Sequence, residues 1–259
     1  MPEPANLSGH AARNRDVWNT DAPNWVASGR ESWASPTPWW GAWHIPEEEL
    51  QILPEVAGLD VLDLGCGTGY WCAWFARLGA RPVGLDLSEE QLATAQALQA
   101  EHGIEFPLIH ASAEAPPLED GSFDLVFSEY GASIWCDPAL WIAEASRLLR
   151  PGGELVFMRG STVQMLCMPD EGQVAERLVR PQKGIYRLEW WDDDPGVEFH
   201  PSTSEMFAVL RSNGFELLDF RELFAPEDAV DHEYYSTVPA DWAKRWPDEE
   251  IWRLRLQRR

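Results

Sequence analysis

The stretch Val61-Leu-Asp-Leu-Gly-Cys-Gly-Thr-Gly69 decides how this sequence folds. Apolar residues flank one aspartate, Asp63, and glycines then follow at the alternating positions 65, 67 and 69. This pattern is typical of a buried strand that enters a tight turn. The residues after the turn repeat at helical spacing: Trp71, Trp74, Phe75 and Leu78. A strand, a glycine turn and a helix N-terminus together form a nucleotide cradle, because glycine lets the backbone approach a ligand and free N–H groups face it.

The spacing of the glycines separates two classes of nucleotide-binding enzyme. Dinucleotide enzymes carry G-x-G-x-x-G, but the sixth position here is Tyr70. The observed G-x-G-x-G, with Asp63 two residues upstream, resembles motif I of the class I S-adenosylmethionine-dependent methyltransferases, (V/L)-L-(D/E)-x-G-x-G-x-G. The resemblance implies that Asp63 lies near the methionine amino group of the cofactor. It also implies that the cofactor's amino-acid end is held by the loop Gly65, Cys66, Gly67, Thr68 and Gly69.

A second match follows at Pro82-Val-Gly-Leu-Asp-Leu87, a short apolar run that ends in an acid. Asp86, with Leu87 after it, falls where a carboxylate can accept both ribose hydroxyls of a nucleotide. NAD enzymes also bind ribose with an acid at this position. Asp86 therefore predicts a ribose-containing ligand but does not distinguish NAD from S-adenosylmethionine. Ser88 is the expected N-cap of a helix that ends near His102, with Gly103 after it.

Two further segments extend the resemblance over about residues 58–160. Ala111–Leu118 and Asp120–Phe127 are similar to the family's D-A-E-x-L-P-F and D-G-S-F-D-L-V pattern, and Leu148–Phe157 to its L-K-P-G-G-x-L turn. In relatives the first acid contacts the adenine amino group, but here that position holds Ser112, an uncharged acceptor. The implied cofactor residues of this region are Ser112, Ala113, Glu114 and Ser128.

The alternation of strands and helices over 58–160 predicts an α/β fold. We expect a three-layer Rossmann-like sandwich with a mostly parallel, seven-stranded sheet and a tryptophan-rich cover. The predicted parts are a leader (1–57), the cofactor-binding core (58–160), an insert (161–201) and a C-terminal completion of the sheet (202–259). Within them we expect residues 1–14 to be loose and the leader to be partly helical but broken at Pro23, Pro36 and Pro38. Short strands are expected near 185–191 and 197–200, a strand at 215–224 and a last helix at 248–256.

The net charge and the cysteines limit which partners and which cellular compartment we expect. The chain has 20 lysines and arginines against 43 acids, a formal net charge of −23. Such acidity repels nucleic acid phosphates and anionic membrane surfaces, so we expect neither as a partner. No apolar run is long enough to span a bilayer, and no secretory signal is apparent. The four cysteines have no paired spacing, which is typical of reduced thiols in a cytoplasmic protein.

The 15 tryptophans indicate where an acceptor would bind. Most lie in the leader, the insert and the tail, outside the sheet-building segment. In the family that the motifs resemble, the leader and the insert usually cover the cofactor's methyl group. We therefore expect an aromatic acceptor cavity, since indole faces favour flat or cationic ligands. Its expected lining is Trp39, Trp40, Trp43, Trp190 and Trp191.

Methyl transfer needs an aligned nucleophile and a base only where the acceptor must lose a proton. The candidates for that base are Glu129, Tyr130, His200 and His232, and no spacing predicts a metal site. The sequence predicts S-adenosylmethionine-dependent methyl transfer to a small molecule by in-line displacement. The alternatives are an NAD-linked oxidoreductase and a methyltransferase-like binding protein without catalysis. The acceptor, the attacked atom and the oligomeric state stay open.

Overall fold

A computed structural model describes residues 7–189, 196–231 and 234–257. Its helices and strands follow one another along the chain without long gaps in the first two thirds. In chain order they are α1 (Gly9–Ala34), β1 (Trp39–Trp40), β2 (Ile45–Pro46), α2 (Glu47–Leu50), β3 (Asp60–Leu64), α3 (Tyr70–Arg77), β4 (Arg81–Asp86), α4 (Glu89–His102), β5 (Leu108–His110), β6 (Phe123–Glu129), α5 (Ala132–Trp135), α6 (Pro138–Leu148), β7 (Leu149–Gly160), α7 (Thr162–Cys167), β8 (Arg187–Glu189), β9 (Val197–Phe199), α8 (Thr203–Ser212), β10 (Phe215–Leu223), α9 (Ala240–Ala243) and β11 (Glu249–Leu256).

Seven of the strands form one sheet in the order β10-β11-β7-β6-β3-β4-β5. The pairs from β7 to β5 are parallel, whereas β11 pairs antiparallel with β7 and with β10. The order reverses between β3 and β6, and ligands of open α/β sheets bind where such a reversal occurs. The predicted three-layer sandwich with a mostly parallel, seven-stranded sheet is confirmed.

Side chains of β7 show the three layers directly. Val156 and Met158 point into one apolar cluster with α3, and Leu155 and Phe157 point into a second cluster with α6. Successive side chains of a strand point to opposite faces, so a strand between two helical layers is apolar at every position. The glycine loop after β3 is therefore held on a sheet that is buried on both sides.

Polar side chains cap the N-termini of several helices, and the predicted cap at Ser88 is confirmed. Ser88 accepts from the Gln91 N–H at the start of α4, and Asp137 accepts from the Ala139 N–H ahead of Pro138 at the start of α6. Ser202 and Glu205 form a complete capping box at α8. Each cap satisfies N–H groups that have no partner within the helix.

The leader differs from its prediction, because α1 runs from Gly9 through Pro23 to Ala34 without a break. The expected loose segment up to residue 14 is wrong for residues 9–14, and Pro23 does not end the helix. Proline removes one backbone donor from a helix, but α1 is held by packing: Trp33 is fully buried and its Nε1–H donates to the Thr68 carbonyl at 2.9 Å. Pro36 and Pro38 do follow the end of the helix.

The helix predicted at 248–256 is also wrong, since these residues form β11. The strand lies between β7 and β10 and fills the gap between them. Trp252, Leu254 and Leu256 alternate with Arg253 and Arg255, which is the two-residue period of a strand. Pairing on both edges overrides the helical tendency of a short acidic and aromatic tail.

Candidate active site

Two of the three glycines in the loop after β3, Gly65 and Gly67, have different structural roles. A Cβ on Gly65 would lie 2.5 Å from the Cα of Gly131, so Gly65 lets the ends of β3 and β6 come together. Gly67 has φ of +52° and nothing within 4 Å of its Cβ position. Only glycine adopts such a backbone without strain. The open space over Gly67 fits a ligand that approaches the loop backbone.

Asp63 lies beneath this loop and is almost fully buried. Burial raises the pKa of its carboxyl to about 7, although the Cys72 thiol opposes the shift by hydrogen bonding to Oδ2 at 3.6 Å. Asp86 adds to the rise through its own charge. A carboxylate in such a place gains from a nearby cation.

Asp86 ends β4 on the same edge of the sheet. Its Oδ2 accepts from the Gly67 N–H at 2.8 Å and its Oδ1 from the Ser88 N–H at 2.8 Å. Burial raises the pKa of this carboxyl, and the two backbone donors oppose the rise. Asp86 thus fixes the loop and the start of α4, and it lines the cavity together with Leu87. Each carboxylate oxygen has a further lone pair for a ribose hydroxyl.

Of the four residues expected around adenine and the end of β6, two line the cavity and two do not. Ser112 and Ala113 line the cavity. Glu114 instead accepts from the Asp137 N–H and pairs with His10 Nε2 at 2.6 Å, so it fastens the start of α1. Ser128 is buried and donates to the Leu64 carbonyl at 2.7 Å, which joins β6 to β3.

One cavity of about 700 Å³ extends from the glycine loop toward the insert. It is lined by one face of α1, with Ala11, Asn14, Trp18 and Trp25. Asn14 fastens this helix to the insert, since its Nδ2 donates to the Val197 carbonyl at 2.8 Å and its Oδ1 accepts from the Val197 N–H at 2.7 Å. A volume of this size is within the range of small-molecule and cofactor sites.

The tryptophans expected at the cavity are not all there. Trp39 lines it. Trp40 is fully buried against Trp71 and Phe127, and Trp43 is buried with its Nε1–H donating to Asp248, so neither is among the lining residues. Trp190, Trp191 and His232 lie outside the described residues. The lining tryptophans that sequence reasoning missed are Trp18, Trp25, Trp71 and Trp135.

Glu129 and Tyr130 meet the cavity at the carboxyl end of β6. Glu129 accepts from the Gly41 N–H at 2.7 Å and from the Trp71 Nε1–H. Burial raises the pKa of this carboxyl to about 8 against the pull of these donors, and the charge of Glu249 adds to the rise. The Tyr130 hydroxyl donates to Glu249, and burial raises its pKa well above the usual range. Tyr130 is thereby a poor proton acceptor at neutral pH.

His200 follows β9 and is 3% exposed, yet it belongs to the cavity lining. Its Nε2 lies 2.7 Å from Glu198 Oε2, and its Nδ1 has no partner among the described residues. A carboxylate only accepts, so the pair favours the tautomer with hydrogen on Nε2 and a lone pair on Nδ1. Burial lowers the pKa of His200 below its usual value of 6.5, although Glu198 opposes this. Sequence reasoning missed Glu198, whose i, i+2 spacing to His200 was the available signal.

No group of three or more potential metal ligands comes together within residues 7–189, 196–231 and 234–257. No helix in the same ranges is long and apolar enough to cross a membrane. The cavity combines buried carboxyls, two histidines (His44 and His200) and indole rings around a glycine loop.

Comparison with known proteins agrees with this geometry. A family model described as a methyltransferase domain matches residues 62–157. The chain is 31% identical over 179 residues to a demethylmenaquinone methyltransferase of Clavibacter sepedonicus, covering 66% of this chain and 71% of that protein. It is 39% identical over 103 residues to a ubiquinone biosynthesis O-methyltransferase of Aromatoleum aromaticum, covering 39% and 44%. A crystal structure of an S-adenosylmethionine-dependent methyltransferase from Mesorhizobium loti matches with a TM-score of 0.65 and 27% identity over 83% of this chain and 98% of that one.

The fold, the glycine loop and these matches define a methyltransferase. The chain belongs to the class I S-adenosylmethionine-dependent methyltransferases. It is an enzyme that uses S-adenosylmethionine and transfers the methyl group to a small-molecule acceptor. Neither the NAD-linked reading nor the non-catalytic one is supported by these relatives.

Proposed function

We propose that the enzyme methylates a ring-bearing acceptor whose hydroxyl or amino group loses its proton to His200. The observation that supports this most is the pair formed by Glu198 and His200 in the lining of the cavity that also contains the glycine loop. When bound, S-adenosylmethionine supplies an electrophilic methyl group. The chain's own residues have to align the acceptor, exclude water and take its proton.

The cofactor would be held by the loop and its neighbours. Asp63 would face the methionine ammonium, the 65–69 backbone the amino-acid end, Asp86 and Leu87 the ribose, and Ser112 and Ala113 the adenine. The support for this assignment is their common position at one end of the cavity. The lining does not include Gly69, Glu114 or Ser128. These three residues would support the site without touching the cofactor.

His200 would act as base through Nδ1. Glu198 holds the hydrogen on Nε2, and a carboxylate beside the ring stabilises the imidazolium that forms when Nδ1 takes a proton. His200 would be neutral, and so competent, above a pKa that lies below 6.5. Glu129 is less suited to this role, because Gly41 and Trp71 already donate to its two oxygens.

A flat acceptor fits the cavity wall. Trp39, Trp71 and Trp135 supply indole surface there, and Met165 and Met168 from α7 and its end supply adaptable apolar surface. The relatives in Clavibacter sepedonicus and Aromatoleum aromaticum are named for quinones, which are flat ring compounds. The four cysteines are free thiols, and on that ground we place the enzyme in the cytoplasm.

The test is methyl transfer to a panel of quinols, phenols and cyclic amines by wild type, His200→Asn, Glu198→Gln and the control Glu216→Gln, whose side chain is exposed on β10. Loss of a general base costs about 100- to 10,000-fold in turnover. His200→Asn should show such a loss with unchanged affinity for S-adenosylhomocysteine, and the control should match wild type.

The pH dependence of turnover distinguishes a base from a residue that only stabilises the structure. Wild-type turnover should rise with pH through a pKa below 6.5 and then stay level. Glu198→Gln should move that rise to lower pH and reduce the plateau, because Glu198 raises the pKa of His200. A His200→Asn enzyme that keeps wild-type turnover and the same pH profile would refute the role of His200.

A further inference from the structure

The part of the cavity formed by β6 and the insert is acidic. Among the described residues its lining includes Glu129, Asp170, Glu171 and Glu198, and the whole cavity lining contains no lysine or arginine. Two arginines lie near this wall without lining the cavity: Arg159 pairs with Glu250 at 3.6 Å, and Arg180 pairs with Asp170 at 3.0 Å. Glu198 pairs with His200, and Glu171 is exposed. Glu129 is thus the buried carboxyl of the wall that has no cationic partner among the described residues, although two N–H groups donate to it.

Gln164 gives independent evidence of a missing donor. Its side chain, on α7, is 4% exposed and lines the cavity. Nε2 donates to the Tyr235 hydroxyl at 2.6 Å, whereas Oε1 has no partner among the described residues. This oxygen packs against Gly160, where an added Cβ would lie 2.5 Å from it. An unsatisfied buried amide oxygen costs free energy unless a donor reaches it.

Two more buried oxygens without a hydrogen-bond partner, on Glu249 and Asp248, belong to residues next to the cavity lining. Glu249 stands opposite Gly160 in the β11–β7 register and accepts from the Ala42 N–H at 2.7 Å, but its Oε2 has no partner. Asp248 accepts from Trp43 through Oδ2, and its Oδ1 has none. The Gly41 N–H is already used by Glu129. The unpartnered oxygens here belong to one amide and two carboxyls, and burial raises the pKa of both carboxyls. A cation nearby would favour their ionised forms.

We infer that the acceptor carries a protonated amine, and that its ammonium group binds in the corner formed by Glu129, Gln164 Oε1 and the Glu249 carboxylate behind them. The inference rests on the proposed function and narrows its substrate class to ring compounds with a basic nitrogen. An ammonium group brings three N–H donors and one positive charge, and the corner contains two unpartnered oxygens, Gln164 Oε1 and Glu249 Oε2. Trp71 contacts Glu129 with the edge of its ring, through Nε1–H.

The ammonium serves as an anchor and is distinct from the atom that loses a proton to His200. Burial holds a proton on Glu129 in the ligand-free enzyme. An ammonium group beside this carboxyl favours its ionised form and gains an ion pair, whereas a carboxylate or phosphate in the same place gains none. The corner therefore selects by charge before the reacting atom is aligned. Acceptors of equal shape but opposite charge should differ sharply in affinity.

Three catechols of nearly equal shape test this: dopamine, neutral 4-ethylcatechol and anionic 3,4-dihydroxyphenylacetate. Binding to the enzyme saturated with S-adenosylhomocysteine is measured by calorimetry at pH 7.5. Dopamine should bind about tenfold or more tighter than 4-ethylcatechol, the worth of a charged hydrogen bond, and the acid should bind weakest. Equal affinities for dopamine and 4-ethylcatechol, or tightest binding of the acid, would overturn the inference.

Two variants test whether Glu249 and Gln164 cause the preference for dopamine. Glu249→Gln and, separately, Gln164→Met should each reduce the dopamine preference by about tenfold and leave the affinity for 4-ethylcatechol unchanged. Glu216→Gln is the matched surface control. If Glu249→Gln fails to bind S-adenosylhomocysteine because it is misfolded, Gln164→Met and the wild-type series decide the question. A preference for dopamine that both folded variants retain would place the ammonium elsewhere and refute this corner.

The two proposals fail separately. If His200→Asn keeps full turnover while the charge preference is present, the base assignment is wrong and the ammonium corner stands. If the turnover of His200→Asn collapses while the three catechols bind alike, the base assignment stands and the amine inference is wrong.

Discussion

Replacing Gly67 and Gly65 separately by alanine distinguishes ligand binding from folding. Both glycines have positive φ, +52° and +77°. An L-residue in that region costs about 1–2 kcal/mol. Around Gly67 no atom lies within 4 Å of the added Cβ, so this conformational cost is the whole effect on stability. In a chain of this size it lowers the melting temperature by about 2–8 °C.

Gly65→Ala costs more, because its Cβ would lie 2.5 Å from the Gly131 Cα and 2.8 Å from the Ala132 nitrogen. Carbon atoms prefer about 3.5–4.0 Å, so the ends of β3 and β6 must move apart. Overpacking of this kind adds about 1–3 kcal/mol, for a total of about 2–5 kcal/mol. The Ser128 hydroxyl bond to the Leu64 carbonyl joins the same two strand ends and would be strained with them.

The assay compares thermal unfolding with the affinity for S-adenosylhomocysteine. Gly67→Ala should stay folded and bind at least about tenfold more weakly, because its methyl group occupies the space through which a ligand reaches the loop N–H groups. Gly65→Ala should lose most of its stability. A Gly67→Ala protein that binds as tightly as wild type would show that the cofactor does not touch this part of the loop.

Three other predictions follow from the carboxyl groups and Ser112. Asp86→Asn should weaken S-adenosylhomocysteine binding by about 1.5–3 kcal/mol in calorimetry, and unchanged affinity would exclude a ribose contact. Ser112→Asp should tighten that binding if Ser112 occupies the adenine position, and weaker binding would place adenine elsewhere. The raised pKa values of Asp63 and Glu129, about 7 and 8, mean that the folded enzyme holds protons that the unfolded chain releases above about pH 4. The ligand-free enzyme should therefore melt at a lower temperature as pH rises from 5 to 8.5, and Asp63→Asn should flatten that slope.

The end of the cavity at the glycine loop was predictable because its determinants are local in sequence. The 61–69 stretch contains strand, loop and the approach to the next helix, and Asp86 follows one crossover later. Parallel strands bring both to the same edge of the sheet. Four short motifs in order were enough to predict the sheet and its cradle.

The rest of the cavity was not predictable, because it is assembled by contacts between distant parts of the chain. Asn14 bonds Val197 across 183 positions, and Ala42 bonds Glu249 across 207. A count of tryptophans also cannot tell a cavity wall from a core. Trp39 and Trp40 are neighbours on β1, and successive side chains of a strand point to opposite sides. One therefore lines the cavity and the other is buried against Phe127.

Residues of the leader thus contribute both to the stability of the fold and to the cavity wall. A substitution at Trp43 tests the contribution to stability alone. Trp43 donates from Nε1 to Asp248 Oδ2 at 2.6 Å. Trp43→Phe keeps an aromatic ring and removes this donor. Loss of a hydrogen bond to a charged group costs about 1.5–3 kcal/mol, but the bond is weaker when the acid is protonated.

Burial and the neighbouring Glu249 raise the pKa of Asp248, so the acid ionises only toward alkaline pH. Trp43→Phe should therefore cost more stability at pH 8.5 than at pH 6, as measured by urea unfolding at both values. Affinity for S-adenosylhomocysteine should not change, since Trp43 is not part of the cavity lining. A cost that is equal at the two pH values would mean that Asp248 does not change its charge between them, and the acidic corner would then carry a fixed charge.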